Sequence, residues 1–130
     1  MNKKQNLEDN YVRRNRWLIA SIILILVATM MPGEVGESSV RFADKVVHFG
    51  LFFLLSINIC FKYQQHEKLI EIIVWGIFFG LMTEVMQQFV PERDMDLYDG
   101  IADTLGVIVG LYIYKNNSKK FDKLLIKLGA

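Results

Sequence analysis

Gly80-Leu-Met-Thr-Glu84-Val-Met-Gln87-Gln88-Phe89-Val-Pro91-Glu-Arg93-Asp94-Met-Asp96-Leu-Tyr-Asp99 is an apolar run with a carboxylate inside it, a proline stop and an apolar restart. The run predicts a helix that carries Glu84, closes on Gln87 and Gln88 and ends at Pro91, where proline cannot continue the ladder. An Arg/Asp-rich corner follows, and the chain re-enters apolar sequence at Asp99. A charge in hydrophobic surroundings is costly, so a chain keeps it where something pairs with it or uses it. Two helices joined by a polar corner are therefore the centre of the fold.

Three further features bound what surrounds that centre. The chain has 130 residues, enough for one domain, and 52% of them are apolar. The charges collect at both ends and in short islands, leaving four apolar blocks between them. A net charge of +1 excludes a nucleic-acid partner, which needs a concentrated basic face. Cys60 is the only cysteine, so no intrachain disulfide or cysteine-based metal site can form, and a buried inert thiol is expected. After the first block, Met30-Met31-Pro32-Gly33-Glu34 lacks a small-x-small cleavage pattern, so that block reads as a retained anchor.

Taken in order, Met1 to Arg16 is polar and basic; a short amphipathic helix around Leu7 to Val12 is one reading, and a disordered arm is the plainer expectation. Trp17 to Met31 is uncharged and apolar on every face, which suits lipid. It is shorter than the roughly 20 residues of an ordinary span, yet Arg16 can snorkel and the bilayer can thin, so a span is expected. Gly33 to Ala43 reads as a loop. Asp44, Lys45 and His48 then open a second block that runs to Phe61, with Asp44 and His48 on one helical face. The polar turn Lys62–Lys68 makes blocks two and three an antiparallel hairpin. Block three, about Leu69 to Val90, sets Gly76, Gly80 and Glu84 at four-residue spacing. Block four, Leu97 to Tyr114, repeats the design with Asp99, Asp103, Gly106 and Gly110. Small residues at that spacing let a neighbouring helix approach closely. Lys115 to Ala130 places Phe121, Leu124, Leu125 and Leu128 at helical spacing among lysines, which reads as a surface-lying amphipathic helix.

Orientation follows from the basic residues. The N-terminal arm, the Lys62/Lys68 turn and the C-terminal tail carry twelve of them, against Arg41, Lys45 and Arg93 on the other side. Both termini should therefore face the cytoplasm. The expected protein is all-α, an integral membrane four-helix bundle with a C-terminal amphipathic helix. It divides into a cytoplasmic arm (1–16), a transmembrane domain (17–114) and a cytoplasmic tail (115–130).

In that topology Asp44, Lys45, His48, Glu84, Gln87, Arg93, Asp99 and Asp103 converge at the outer face. As a site, Arg93 and Lys45 would hold a phosphate or carboxylate, because a guanidinium fork matches such groups. His48 and Glu84 are the candidate bases. As structure alone, the same charges would pair with one another, Arg93 with Asp96 or Asp99 and Lys45 with Glu84. Asp44, His48, Glu84, Asp99 and Asp103 are metal-type donors, but their spacing matches no zinc motif such as His-Glu-x-x-His, so no metal or cofactor is expected. His66 reads as a solvated turn residue.

Asp44-Lys45-x-x-His48-Phe49, together with Gly80-x3-Glu84-x2-Gln87-x-Phe89-x-Pro91-x-Arg93 and the following Asp99, Gly106 and Gly110, resembles the VanZ-like membrane proteins. The resemblance covers roughly Ala43 to Leu111, and Trp17–Met31 fits as the first helix. Asp103 departs from it, standing where that family usually has Asn. The resemblance implies a small four-helix protein of the bacterial cytoplasmic membrane, with a role in low-level resistance to the glycopeptide teicoplanin. The implied partners are a membrane lipid, the glycopeptide or a lipid-linked cell-wall precursor. A membrane hydrolase or transferase acting on a phospholipid or polyprenyl phosphate is the alternative, and a non-catalytic scaffold is another.

Overall fold

No proline or glycine interrupts the chain between Lys3 and Met31, and a helix once nucleated in the apolar half propagates readily through Lys, Gln, Leu, Glu and Arg. In the computed structural model this stretch is one helix, α1 (Lys3–Met30). The backbone is described for residues 3–31, 38–63, 68–93 and 95–128, and side chains for the same residues apart from 3–10 and 38–41. The basic arm is thus helical rather than disordered. Beyond its first turns it leans on the next helix: the Arg14 guanidinium lies 4.9 Å from the centre of the Phe61 ring, and Lys62 sits 5.9 Å from that of Tyr11.

Helix α2 (Ser38–Tyr63) begins inside the stretch expected to be loop, five residues before Ala43. Helix α3 (Leu69–Gln87) ends three residues before Val90. Phe89 and Val90 donate back to Met86 and Gln87 as the chain turns towards Pro91. Helix α4 (Leu97–Lys127) is capped by Asp96, whose carboxylate accepts from the Tyr98 N–H at 2.9 Å. It is two helices joined at a kink, where Asn117 leaves helical geometry (φ −132°, ψ 22°). The Asn117 amide donates instead to the Ile113 carbonyl. This kink separates the membrane-type helix from the basic tail. The tail is not free: Tyr114 donates to Asp122 across the bend at 2.6 Å, and Leu125 is buried. His66, Asp94 and the glycines Gly33 and Gly36 lie outside the described residues, as does the side chain of Arg41.

Helices α2 and α3 run antiparallel across their short connection, and both pack on α4. Helix α4 is central, with α2 on one side and α3 on another, while α1 lies along α2. Between α2 and α3 the backbones stand further apart, and the contact is made by side chains, Phe52 against Phe79 and His48 against Gln87. The cause is the placement of the glycines. A Cβ on Gly106 would collide with the Phe49 carbonyl oxygen, and one on Gly110 with Ser56 Oγ and the Phe53 carbonyl. Bare backbone on α4 therefore lets α2 approach until main chain meets main chain. Gly76 and Gly80 do the same work on α3, seating it on Val107 and Asp103 of α4. The glycine spacing is read correctly as close helix contact, and the partner is α4 in both cases.

Three described helices are long and apolar enough to cross a membrane: Phe42–Tyr63, Leu69–Gln87 and Leu97–Lys127. Helix α1 is not among them, because its first half is polar. Only 28% of the Leu69–Gln87 segment is buried within the protein. Trp75, Phe78, Ile70 and Val85 all point outward, where water would oppose so much exposed apolar surface and lipid welcomes it. The buried core is small, built on Ile25, Phe52, Phe61, Val107, Leu111 and Tyr114, with Cys60 beside them at 3% exposure. Between α1, α2 and α3, where α3 stands off from α2, lies an apolar cleft of about 550 Å³ lined by Leu18, Ile22, Leu55, Ile59, Trp75 and Phe79.

Candidate functional site

The C-terminal ends of α1 and α3 and the N-terminal ends of α2 and α4 meet at one end of the bundle. His48 lies on the α2 face turned to α4, one turn beyond Asp44. Its Nδ1 is 2.9 Å from Asp103 Oδ1 and 3.9 Å from Glu84 Oε1. On the opposite edge of the ring, Nε2 faces the Gln87 amide nitrogen at 3.5 Å, and that amide donates to the Thr29 carbonyl at 3.0 Å. These contacts suit a neutral imidazole that donates from Nδ1 and accepts at Nε2. His48, Glu84, Gln87 and Asp103 are each 1% exposed. Seen along the helices at ~1.5 Å per residue, His48 and Asp103 lie ~9 Å from the start of their spans and Glu84 ~5 Å from the end of its own. The cluster lies inside the ends of the membrane-length helices rather than in the loops beyond them.

A second layer closes over it. Glu84 Oε2 accepts the Asp96 N–H at 3.0 Å, tying α3 to the corner. Lys45 donates to Asp96 Oδ2 at 2.5 Å and to Asp99 Oδ1 at 2.9 Å. Arg93 donates through Nη1 to Asp44 at 2.9 Å and through Nε to the Met31 carbonyl at 3.1 Å. The side chains of Lys45 and Arg93 are 28% and 13% exposed, so this layer is the rim and the histidine layer the floor.

All eight residues singled out from the sequence fall in this one cluster, but their pairing differs from that expected. Arg93 takes Asp44, and Lys45 takes Asp96 and Asp99, because α2 lies on α4 and brings Lys45 over the first turn of that helix. Glu84 sits below the rim, occupied by a backbone N–H. Asp96, Thr29 and the Met31 carbonyl complete the site and were not among those eight. The cap pattern before Leu97 signals Asp96, whereas nothing in the sequence ties α1 to this end. Gln88 turns away and donates to the Met95 sulfur.

The charge balance decides what the cluster can do. Among the described side chains, two fixed cations, Lys45 and Arg93, face five carboxylates, those of Asp44, Glu84, Asp96, Asp99 and Asp103. Both cations are therefore engaged by carboxylates rather than free to clamp an anion. The hydroxyls nearest the floor are committed to their own helices, Thr29 to Ile25 and Thr83 to Gly80, each at 2.7 Å. A covalent nucleophile is not presented to His48 by these threonines. Proton transfer, ion binding and hydrogen bonding to a head group are the chemistries this arrangement favours.

Lipid-facing helices around a buried histidine–carboxylate floor define a helical membrane protein with a polar site at one end of its bundle. The chain belongs to the VanZ/LLP1 family, whose profile matches residues 3–121. A curated relative, the "Uncharacterized protein C11E3.10" of Schizosaccharomyces pombe, is 31% identical over 99 residues, which are 74% of this chain and 61% of the relative. The chain thus spans less than two thirds of that relative's length. No solved structure matches the chain.

Proposed function

We propose that this protein acts in the cell envelope as a VanZ-type determinant of teicoplanin susceptibility, and that its polar end engages an anionic lipid or lipid-linked precursor from the outer face of the bacterial cytoplasmic membrane. The observation that carries this reading is the convergence of four helix ends on a buried polar floor beneath a rim that holds Lys45 and Arg93. A head group arriving at the membrane surface meets a rim whose cations are already paired with carboxylates, and its hydroxyls find the unpartnered acceptors of the floor. The bias of lysines and arginines supports an orientation with both termini in the cytoplasm. The side-by-side course of α1 and α2, from Arg14 on Phe61 to Ser21 bonded to Asn58, supports α1 crossing with its neighbour.

Teicoplanin and vancomycin susceptibility in a sensitive host tests the role, with Glu84→Gln and Arg93→Gln variants matched for membrane level. Teicoplanin resistance that both variants abolish is the expected result. Resistance indifferent to both changes would reduce the cluster to packing, and no resistance from the unaltered protein would remove the envelope role.

One observation favours an enzymatic second reading. The 2.9 Å contact between His48 Nδ1 and Asp103 Oδ1 orients the imidazole as a general base requires. Turnover of a labelled phospholipid or polyprenyl phosphate by the purified protein, lost in His48→Gln, would establish it.

A further inference from the structure

Three side-chain oxygens or nitrogens in the described interior have no hydrogen-bond partner, and all three are acceptors: Glu84 Oε1, Gln87 Oε1 and Asp103 Oδ2. They belong to three of the residues around one imidazole, each 1% exposed. A buried acceptor without a donor is costly, and more so on a carboxylate. Such groups in one place mark the position of something electropositive. The Lys45 and Arg93 side chains do not supply it, since both are taken by rim carboxylates and Glu84 reaches the rim only through a backbone N–H.

The geometry specifies what would. One ligand atom from each of His48, Glu84 and Asp103 lies within 4.8 Å of the others. The closest pair, His48 Nδ1 and Asp103 Oδ1, is 2.9 Å apart, and Glu84 Oε1 is 3.9 Å from the same nitrogen. An ion bound at ~2.0–2.3 Å has neighbouring ligands ~3 Å apart and opposite ones ~4.5 Å apart. One imidazole with two carboxylates is a donor set for a borderline divalent ion, and its charge offsets the carboxylates that the fixed cations leave over.

We propose that His48, Glu84 and Asp103 bind one divalent cation of the Mn²⁺ or Zn²⁺ kind within the bundle. This departs from the absence of a metal motif in the sequence, because the three ligands come from three helices and share no local spacing. Binding through Nδ1 moves the imidazole hydrogen to Nε2, and the unpartnered Gln87 oxygen accepts it after a turn of the amide. The proposal rests on the cluster being the functional site. It also deepens that reading: an ion on the floor gives an anionic head group a counter-charge that the rim, already neutralised, does not.

The test uses the full chain purified in detergent or nanodiscs and stripped with a chelator. Mn²⁺ uptake is read as loss of the free-ion paramagnetic resonance signal, and Zn²⁺ by competition and by elemental analysis after desalting. One ion per chain is expected, with Mg²⁺ and Ca²⁺ competing poorly. Glu84→Gln and Asp103→Asn keep the shapes of their side chains and should weaken uptake at least about tenfold. Glu71→Gln, at the other end of α3, should leave it unchanged. No uptake by folded, monodisperse protein would overturn the proposal, as would equal uptake by the Glu84 and Asp103 variants. Susceptibility assays run alongside separate the two claims. Resistance without ion binding overturns the cation and leaves the envelope role, whereas ion binding without resistance supports the cation and removes that role.

Discussion

Glu84 divides its two oxygens between different tasks. Oε2 holds the corner through the Asp96 N–H, and Oε1 faces His48 with no donor. Glu84→Gln preserves the first contact, so the variant should fold with little change in its melting temperature while function is lost. Circular dichroism melting beside the susceptibility assay distinguishes these effects. Asp44→Asn behaves differently, since it weakens the partly buried pair with Arg93 and should cost about 1 kcal/mol, measurable by denaturant titration in micelles. The identity of the polar residues was legible in the sequence, because carboxylates, a histidine and an arginine stand out against apolar blocks. Their partners were not. Whether Lys45 meets Glu84 or Asp99 depends on how α2 is rotated and how closely it approaches α4, which only the packed structure determines.

The glycines decide that approach, and the prediction at the level of helices concerns them. Gly106→Ala places a methyl against the backbone of Phe49 and Phe53, which cannot yield as a side chain does, and should destabilise by about 1–3 kcal/mol. Gly50→Ala is the contrast. A Cβ there meets nothing within 4 Å, and the better helix propensity of alanine should stabilise by about 0.5–1 kcal/mol. Unfolding both variants in the same detergent checks the pair. At the far end of α4, Tyr114→Phe removes the hydrogen bond to Asp122 and should cost about 1 kcal/mol. The expected signature is faster proteolysis near Asn117 with the rest of the chain still protected. Helices α3 and α4 were legible from apolar runs bounded by proline, lysine and aspartate. The helical arm of α1 was not, because its composition suits disorder until an adjoining apolar helix nucleates it. The antiparallel course of α2 and α3 is legible from the short polar turn between them, whereas the α4 partner of the α3 glycines is set by the packing.

As a whole, the protein turns large apolar surfaces outward and gathers its buried carboxylates and histidine at one end, so block composition marks the helices while the glycines set how they pack. Cys60 offers a direct measure of its integrity. At 3% exposure the thiol should resist maleimide in the folded protein and react at the rate of unfolding, and rapid labelling under native conditions would contradict the packing of α1, α2 and α4. A green fluorescent protein fused after Ala130 should fluoresce if the C-terminus is cytoplasmic, as the basic residues predict. The seam between α2 and α4 also shapes how this chain can vary. Where main chain meets main chain at Gly106 and Gly110, the alphabet shrinks to a single letter. Outward positions such as Ile70 and Val85 are exposed to the surroundings and accept nearly any greasy residue. Drift should therefore erase the resemblance between distant copies almost everywhere except along this thin line and the charged end it supports, leaving kinship written in few and widely spaced characters.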